Sequence, residues 1–201
     1  NMTGYSNLCR LVSHAQLSHG KGQASLDQAM LENHSEGLFC LSGCRKGKIS
    51  QMVLAGKKEE AAEAARRYRN IFGRSFYIEL QNNLRPEDQR LCRGLVELAD
   101  DLGIGYVATN NVHYARREGH RLQDILVCIK NRSTLDTSHH LRRPNSEYHL
   151  KPSEEMAKLF REYPQALANT VRIAEACDLE LDLSNHRFPD FPVLPGETAY
   201  S

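Results

Sequence analysis

The residue types best able to bind a metal or a substrate in this chain stand directly after short apolar segments. Asn111 and His113 follow the apolar segment 106–109, and Cys44 follows the apolar segment 38–42. Parallel α/β folds carry their chemistry on residues just beyond the carboxyl ends of their strands. If both segments are strands of one parallel sheet, these side chains lie at the same end of it. The pattern therefore predicts a metal or substrate site there.

Each of these side chains also has an ordinary structural interpretation. His113 would then be a surface histidine hydrogen-bonded to a loop, and Cys44 a buried, inert thiol. A thiolate beside an imidazole suits zinc, whereas a site with more oxygen ligands also accepts manganese. A zinc knuckle built from Cys40, Cys44, His113 and His120 is disfavoured, because the cysteines are separated by three residues and part of an apolar segment.

One carboxylate lies inside an apolar segment. Glu79 belongs to the segment 76–81, which otherwise reads as a buried strand. A buried carboxylate is costly unless it is paired, hydrogen-bonded or bound to a metal. We expect a structural hydrogen bond to Glu79 rather than a place among metal ligands.

Charge and cysteine usage limit the classes of function. The 201 residues include 26 basic and 25 acidic ones, so no global field directs the chain to nucleic acid or to a membrane surface. No apolar run approaches the roughly 18 residues of a spanning helix, and the first residues do not read as a signal peptide. The six cysteines form no CxxC pair. We expect a cytoplasmic protein with reduced thiols, in which Cys92, Cys128 and Cys177 are core residues.

A local group of basic residues leaves two interpretations open. It could form a solvated face or a track for DNA phosphates, and the sequence favours the solvated face. Its members share the region after the segment 106–109: Arg116, Arg117, Arg121, Lys130, Arg132, Arg142 and Arg143.

Helical periodicity is regular along the chain. Apolar residues recur at three- and four-residue spacing from 58 to 72 and from 91 to 102, and Gly73 and Gly103 supply helix stops. A third apolar stripe consists of Leu122, Ile125, Leu126 and Ile129. Further helices are expected near the amino terminus, from a cap at Ser153, and after Pro164.

The alternation of strands and helices predicts an α/β fold. Strands at about 38–42, 75–81 and 105–109 alternate with helices, which favours parallel pairing and right-handed crossovers. Three parallel strands cannot close a barrel, so we expect a partial, distorted β/α barrel that lacks its amino-terminal portion. The predicted division is a domain over residues 1–185 and an extended, proline-rich linker over residues 186–201.

Seven segments, in order along nearly the whole chain, carry a family resemblance: 4–13, 36–44, 68–73, 76–81, 107–114, 154–160 and 167–177. Together they resemble the polymerase and histidinol phosphatase (PHP) domain of bacterial DNA polymerase III alpha subunits, replicative or error-prone. Ordered segments at compatible spacings are more specific than one short motif. The resemblance implies a distorted β/α barrel of the PHP type, with metal ions at the carboxyl ends of its strands.

The resemblance also implies roles for individual residues. Family ligands include an early His-x-His pair, a Cys or His after a Ser-Gly segment, and a late Asp-x-His. Cys44 matches the middle ligand and His113 the late histidine, whereas Asn111 replaces the aspartate and the early pair lies before the chain begins. A neutral amide is a poorer ligand than a carboxylate. The full domain would bind zinc or manganese, and this chain alone none or only weakly.

The implied parent is a bacterial DNA-directed DNA polymerase, a nucleotidyltransferase of replication or translesion synthesis, with its palm domain beyond Ser201. We expect this chain to be a scaffold or degenerate metal site, inactive by itself, with DNA and other replisome subunits as partners through the parent. The alternative is an active metal-dependent phosphoesterase or 3′–5′ exonuclease in the full-length chain. A stand-alone hydrolase of the histidinol phosphatase type is disfavoured, because the last segment resembles the one that leads these polymerases into their palm.

Overall fold

A three-stranded parallel sheet forms the centre of the computed structural model, which describes residues 1–181 and residue 184. Its strands are β1 (Cys40–Leu41), β2 (Phe76–Gln81) and β3 (Gly105–Thr109), in the spatial order β1-β2-β3. Both pairings are parallel. The predicted α/β architecture, with parallel strands alternating with helices, is confirmed. β1 has two residues where five were predicted, β2 begins one residue later than predicted, and β3 has the predicted bounds.

Eight α-helices accompany the sheet within the part of the chain that the structure describes, and α4, α5 and α8 pack on its strands. They are α1 (Met2–Leu17), α2 (Gln28–Asn33), α3 (Lys48–Leu54), α4 (Lys58–Phe72), α5 (Asp88–Leu102), α6 (His120–Asn131), α7 (Ser153–Leu159) and α8 (Pro164–Ala176). The sequence predicted six of them. It missed the short helices α2 and α3, which have six and seven residues.

Helix ends follow from local chemistry. Gly73 and Gly103 end α4 and α5 with positive φ angles of 56° and 59°, which glycine adopts without a steric penalty. At α7 the prediction was wrong in detail. Ser153 is the first helical residue rather than the cap, and Pro152 holds the N-cap position without a side-chain hydrogen bond.

The core lies between one face of the sheet and helices α4 and α5. On β2, Phe76, Ile78 and Leu80 are buried, whereas the alternate residues are only half-buried. They pack with small side chains of α4 and with the leucine stripe of α5. Each fully buried side chain of this size contributes about 1.5–3 kcal/mol. This packing fixes the position of the strand ends.

Helix α1 is anchored to the loop that precedes β1. Gly4 and Gly37 are so close that a Cβ on Gly4 would lie 2.0 Å from the Gly37 carbonyl oxygen. The Asn7 side chain donates a 3.0 Å hydrogen bond to the Glu36 carbonyl. Two of the segments that carry the family resemblance, 4–13 and 36–44, therefore contact each other directly.

Two expectations about burial need correction. The apolar stripe on α6 (Leu122, Ile125, Leu126 and Ile129) is 47–68% exposed. That helix instead buries Asp124 and Cys128, which contact the loop that follows it. Cys177 is exposed, because it ends α8 at the surface.

The other thiols agree with the sequence. All six cysteines are free, and Cys92 and Cys128 are buried as predicted. Burial raises the pKa of Cys40 to about 11. Burial, assisted by the charge of Asp88, raises the pKa of Cys92 to about 12. Both groups are therefore protonated at neutral pH, which suits structural thiols.

No described helix is long and apolar enough to cross a membrane. The predicted linker, residues 186–201, and the domain boundary at residue 185 lie outside the described residues.

Candidate metal-binding end of the sheet

The three predicted ligands follow strands whose carboxyl ends lie on the same side of the sheet. Cys44 comes three residues after β1, and Asn111 and His113 come shortly after β3. The parallel pairing that this prediction required is confirmed. However, β1 and β3 are the outer strands with β2 between them, so the strand axes that carry the ligands are about 10 Å apart.

Cys44 is held by a tight turn. Gly43 has a φ of 85°, and the backbone N–H of Gly47 donates a 2.7 Å hydrogen bond to the Cys44 carbonyl. The thiol is half-buried. No group of three or more closely spaced His, Cys, Asp or Glu side chains in the described region includes it.

His113 is engaged by a cation. Its backbone N–H donates to the Tyr148 carbonyl at 2.8 Å, and its Nε2 lies 2.5 Å from the Arg143 guanidinium. A guanidinium can only donate, so Nε2 accepts and the imidazole is neutral. Burial, and then the charge of Arg143, lower the pKa of His113 below its ordinary value. Arg143 itself lies over the Tyr148 ring, 5.1 Å from its centroid.

The two adjacent asparagines after β3 have different roles. Asn110 joins segments of the structure, because its Oδ1 accepts from Asn83 at 2.7 Å and its Nδ2 donates to the His149 carbonyl at 2.6 Å. Asn111 is half-buried, and its side chain makes no hydrogen bond with a described residue. Of the two amides, only Asn111 is free of a structural partner in the described region.

Glu79 has the hydrogen bonds that the sequence required. Its Oε1 accepts from the Thr109 hydroxyl and, at 2.8 Å, from the Gln81 side chain. Its backbone N–H donates to the Ser42 hydroxyl at 2.9 Å. These contacts connect all three strands at their carboxyl ends, so the expected structural role is confirmed.

A cluster of possible ligands that the sequence did not predict lies beyond β3. The ligand atoms of Glu147, His149 and Glu155 all lie within 4.8 Å of one another, a spacing that could hold a metal ion. The sequence signal that could have indicated this cluster is the Glu-x-His pair Glu147 and His149. Alternate residues of an extended segment share a face, so both side chains can reach one site. This signal was overlooked because Glu155 comes from the separate helix α7.

The carboxylates of this cluster already have cationic partners. Arg117 binds both Glu147 and Glu155, and Lys151 lies 3.4 Å from Glu147 with only 1% of its side chain exposed. Burial by itself raises the pKa of Glu147, but the hydrogen bond from Arg117 and the charges of Lys151 and Arg117 outweigh it and lower the pKa. Glu147 is therefore ionised and neutralised by protein groups.

The ring of His149 completes the network. Its Nδ1 lies 3.2 Å from the Ser146 carbonyl, and its Nε2 lies 3.3 Å from the Glu155 carboxylate. The side chain is 8% exposed. The imidazole therefore bridges the extended segment and the first turn of α7.

These contacts test whether the residues fit a metal ion. Arg143 occupies the Nε2 lone pair of His113, and Arg117 and Lys151 occupy Glu147. A divalent cation at either place would face a fixed positive charge at hydrogen-bond distance. As placed, these side chains fit an internal ion-pair network better than a metal ion, and no chemical step is derived through one.

Part of the predicted basic group also takes part in internal ion pairs and hydrogen bonds. Arg117 pairs with glutamates, Arg142 with Asp124 at 2.9 Å, and Arg143 contacts His113. The remaining members are exposed and form no ion pair with a described residue: Arg116, Arg121, Lys130 and Arg132. The group is thus divided between structural and solvated cations.

Parallel strands that alternate with helices, with polar side chains collected at their carboxyl ends, define a β/α-barrel-like domain. Comparison with known proteins indicates which family of such domains the chain resembles. Residues 1–83 match the PHP domain family. Together with the relatives described next, this match shows that the chain is homologous to the PHP region of bacterial DNA polymerases of the III alpha and error-prone types.

The similarity extends along almost the whole chain. It is 42% identical to the DNA polymerase III subunit alpha of Treponema pallidum over 90% of the chain and 16% of that protein. It is 37% identical to the error-prone DNA polymerase of Symbiobacterium thermophilum over 96% of the chain and 19% of that protein. With the DNA polymerase III subunit alpha of Thermus aquaticus it shares 36% identity over 98% of the chain and 17% of that protein. The chain spans less than a fifth of the length of these relatives.

Proposed function

We propose that this chain is a portion of the PHP domain of a bacterial DNA-directed DNA polymerase, and that it acts as a scaffold rather than as a metal enzyme. The parent would function in DNA replication or translesion synthesis. DNA and other replisome subunits would be partners of that parent, and the location would be the cytoplasm. Residues 186–201 would lead toward the polymerase palm.

One observation carries the scaffold proposal. The predicted ligand His113 accepts a hydrogen bond from Arg143, and the closely spaced carboxylates beyond β3 are held by Arg117 and Lys151. A hydrolytic metal centre instead needs neutral or anionic ligands with an open position for water. With Asn111 in place of aspartate, Cys44 and His113 would give each ion at most two strong protein donors.

The experiment measures metal binding and hydrolysis together. The purified chain is treated with a chelator, supplied with zinc or manganese, and assayed on a single-stranded oligonucleotide and on bis(p-nitrophenyl) phosphate. We expect weak, exchangeable binding and no turnover above the metal-only blank, and no nucleotide incorporation on a primed template. Robust turnover that disappears in His113→Ala would contradict the scaffold proposal.

A matched pair of variants sharpens the test. Arg143→Gln frees the Nε2 lone pair of His113 and removes a positive charge, so zinc affinity should rise several-fold. Arg66→Gln removes an equal charge from an exposed position on α4 and should leave zinc affinity unchanged. Equal effects of the two substitutions would mean that Arg143 does not control the His113 site.

A metal-dependent phosphoesterase is the second candidate, and the spacing of Glu147, His149 and Glu155 favours it. In that case, manganese would bind the purified chain stoichiometrically, and both His149→Ala and Glu155→Gln would abolish binding and hydrolysis. Cys44→Ser and Asn111→Ala test the predicted ligands nearer the sheet. Loss of a bound ion in either variant would support the metal-site interpretation for those residues.

A further inference from the structure

The amino ends of the strands border a cavity that the proposed function does not use. This amino-end cavity has a volume of about 930 Å³ and lies where α4 leads into β2, where α5 leads into β3, and beside α8. Its volume falls within the range of small-molecule sites, about 300–1,000 Å³. Its lining is mostly polar and includes three arginines, one from each of three different elements.

The charges in this cavity are unbalanced. Arg69, Arg74 and Arg172 contribute three positive charges, and the lining contains a single carboxylate, Asp100. None of these four groups forms an ion pair with another described residue. Three guanidiniums around one concavity repel each other unless an anion lies between them.

Two of the guanidiniums are held in place by the fold. Arg69 donates to the Leu102 carbonyl, next to the left-handed turn at Gly103 that ends α5. Arg172 donates to the Asn169 side-chain oxygen at 3.3 Å. These contacts orient the two arginines but leave their charges uncompensated.

Asn169 is the buried support of this arrangement. It is 4% exposed, and its Nδ2 donates to the Tyr106 carbonyl of β3 at 2.8 Å. Its Oδ1 accepts from Gln165 at 3.1 Å as well as from Arg172. One buried amide thus fixes α8 to the edge of the sheet and directs two polar side chains into the cavity.

Arg74 is the third cation and has no structural partner. It is exposed in the single turn before β2, and its side chain makes no hydrogen bond with a described residue. Guanidiniums bind phosphate through paired, charge-assisted hydrogen bonds. An unpaired arginine that lines the same cavity as two oriented ones supplies additional donors for a multiply charged phosphate group.

We propose that the amino-end cavity binds the phosphates of a small polyphosphate ligand, such as a nucleoside triphosphate or an inorganic polyphosphate. Arg69 and Arg172 would hold one end of the ligand and Arg74 the other. The negative charge of Asp100 would repel the phosphates and lower the affinity of the cavity for the ligand. The site lies at the opposite end of the sheet from the candidate metal ligands, so it does not depend on them.

The test is isothermal titration of the purified chain with inorganic triphosphate, and separately with ATP, in low salt and without divalent ions. We expect saturable, one-to-one binding. Arg74→Gln should weaken it about tenfold, and Arg74→Gln with Arg172→Gln about a hundredfold. Asp100→Asn should strengthen it several-fold. Equal affinity for both ligands would mark recognition of the phosphates alone, and tighter ATP binding would mark recognition of the nucleoside as well.

Arg66→Gln is the matched control, because Arg66 is exposed on the same helix as Arg69 but lies outside the cavity. It should change triphosphate affinity by less than about twofold. Equal weakening by Arg66→Gln and Arg74→Gln would show diffuse surface charge and overturn the proposal. Absence of saturation at millimolar triphosphate would overturn it too. A third result would also overturn it: a single-stranded oligonucleotide binds more tightly than triphosphate and loses affinity in the same variants. The surface would then be a nucleic-acid contact.

Discussion

The two ends of the sheet both carry arginines, but they place them among different neighbours. At the carboxyl end, Arg45 pairs with Asp88 at 3.3 Å, and Arg117 pairs with Glu147. Both carboxylates are nearly buried, with 4% and 10% of their side chains exposed. These arginines are occupied by internal partners and fasten loops to the sheet.

At the amino end, Arg69, Arg74 and Arg172 have no such partners in the described region. The comparison shows that an arginine near a strand end can have either a structural or a ligand-binding role. A carboxylate at ion-pair distance makes it a structural tie, whereas a concave surface where no carboxylate pairs with it makes it a possible anion-binding group. The neighbours, rather than the residue type, decide between these roles.

Both ends depend on the same core, so its disruption should have the largest effect. Leu98 is buried on α5 with 8% exposure, whereas Arg93 on the same helix is exposed. Leu98→Asp places an unpaired charge in the core at a cost of several kcal/mol, comparable with the whole stability of a small domain. We expect it to unfold or aggregate, and Arg93→Asp to melt close to the unmodified protein. Equal melting temperatures would contradict the packing of α5.

The next largest effect is a difference in stability between substitutions at the two ends of the sheet. Lys151→Met removes the buried cation beside Glu147 and should lower the free energy of unfolding by about 2–4 kcal/mol, because a nearly buried carboxylate loses a partner. Arg74→Gln at the amino end should change it by less than about 0.5 kcal/mol, as expected for an exposed side chain. Unfolding of both variants by chemical denaturant measures these free energies. A loss of similar size in Arg74→Gln would mean that the amino-end arginines are structural as well.

The carboxyl end should also respond to pH through His113. Its pKa is lowered in the folded protein, so below pH 6.5 the unfolded chain takes up a proton that the folded protein does not. Stability is therefore highest above that pH and falls as the pH drops toward the folded pKa. His113→Gln should reduce the difference in melting temperature between pH 7.5 and pH 5.5. An unchanged difference would show that folding does not lower the pKa of His113.

The smallest effect concerns salt at the amino end. Three unpaired guanidiniums repel each other, so Arg74→Gln should raise the melting temperature slightly at low ionic strength. Screening should remove this gain near 0.5 M sodium chloride, where the Debye length is only about 4–5 Å. A gain that persists in high salt would point to a cause other than charge repulsion.

The sequence alone determined the architecture. Apolar periodicity in 58–72 and 91–102, apolar runs at the strands, and glycine stops at 73 and 103 are local signals. Parallel pairing follows from the alternation of these strands and helices. The resemblance carried by ordered segments was equally readable and was confirmed by the comparisons. Glu79 could be assigned a hydrogen bond because a carboxylate within a strand requires one.

Tertiary structure decided the neighbours of each charged group. Arg143 meets His113 across 30 residues of sequence, and Arg117 meets Glu147 across another 30. The apolar stripe of α6 predicted a helix, but no local signal could show that its buried face would carry Asp124 and Cys128 instead. Periodicity reports which side chains share a face, whereas the element that packs on that face is set by contacts distant in sequence. The amino-end cavity arises in the same way, because its three arginines come from elements that only the folded chain brings together.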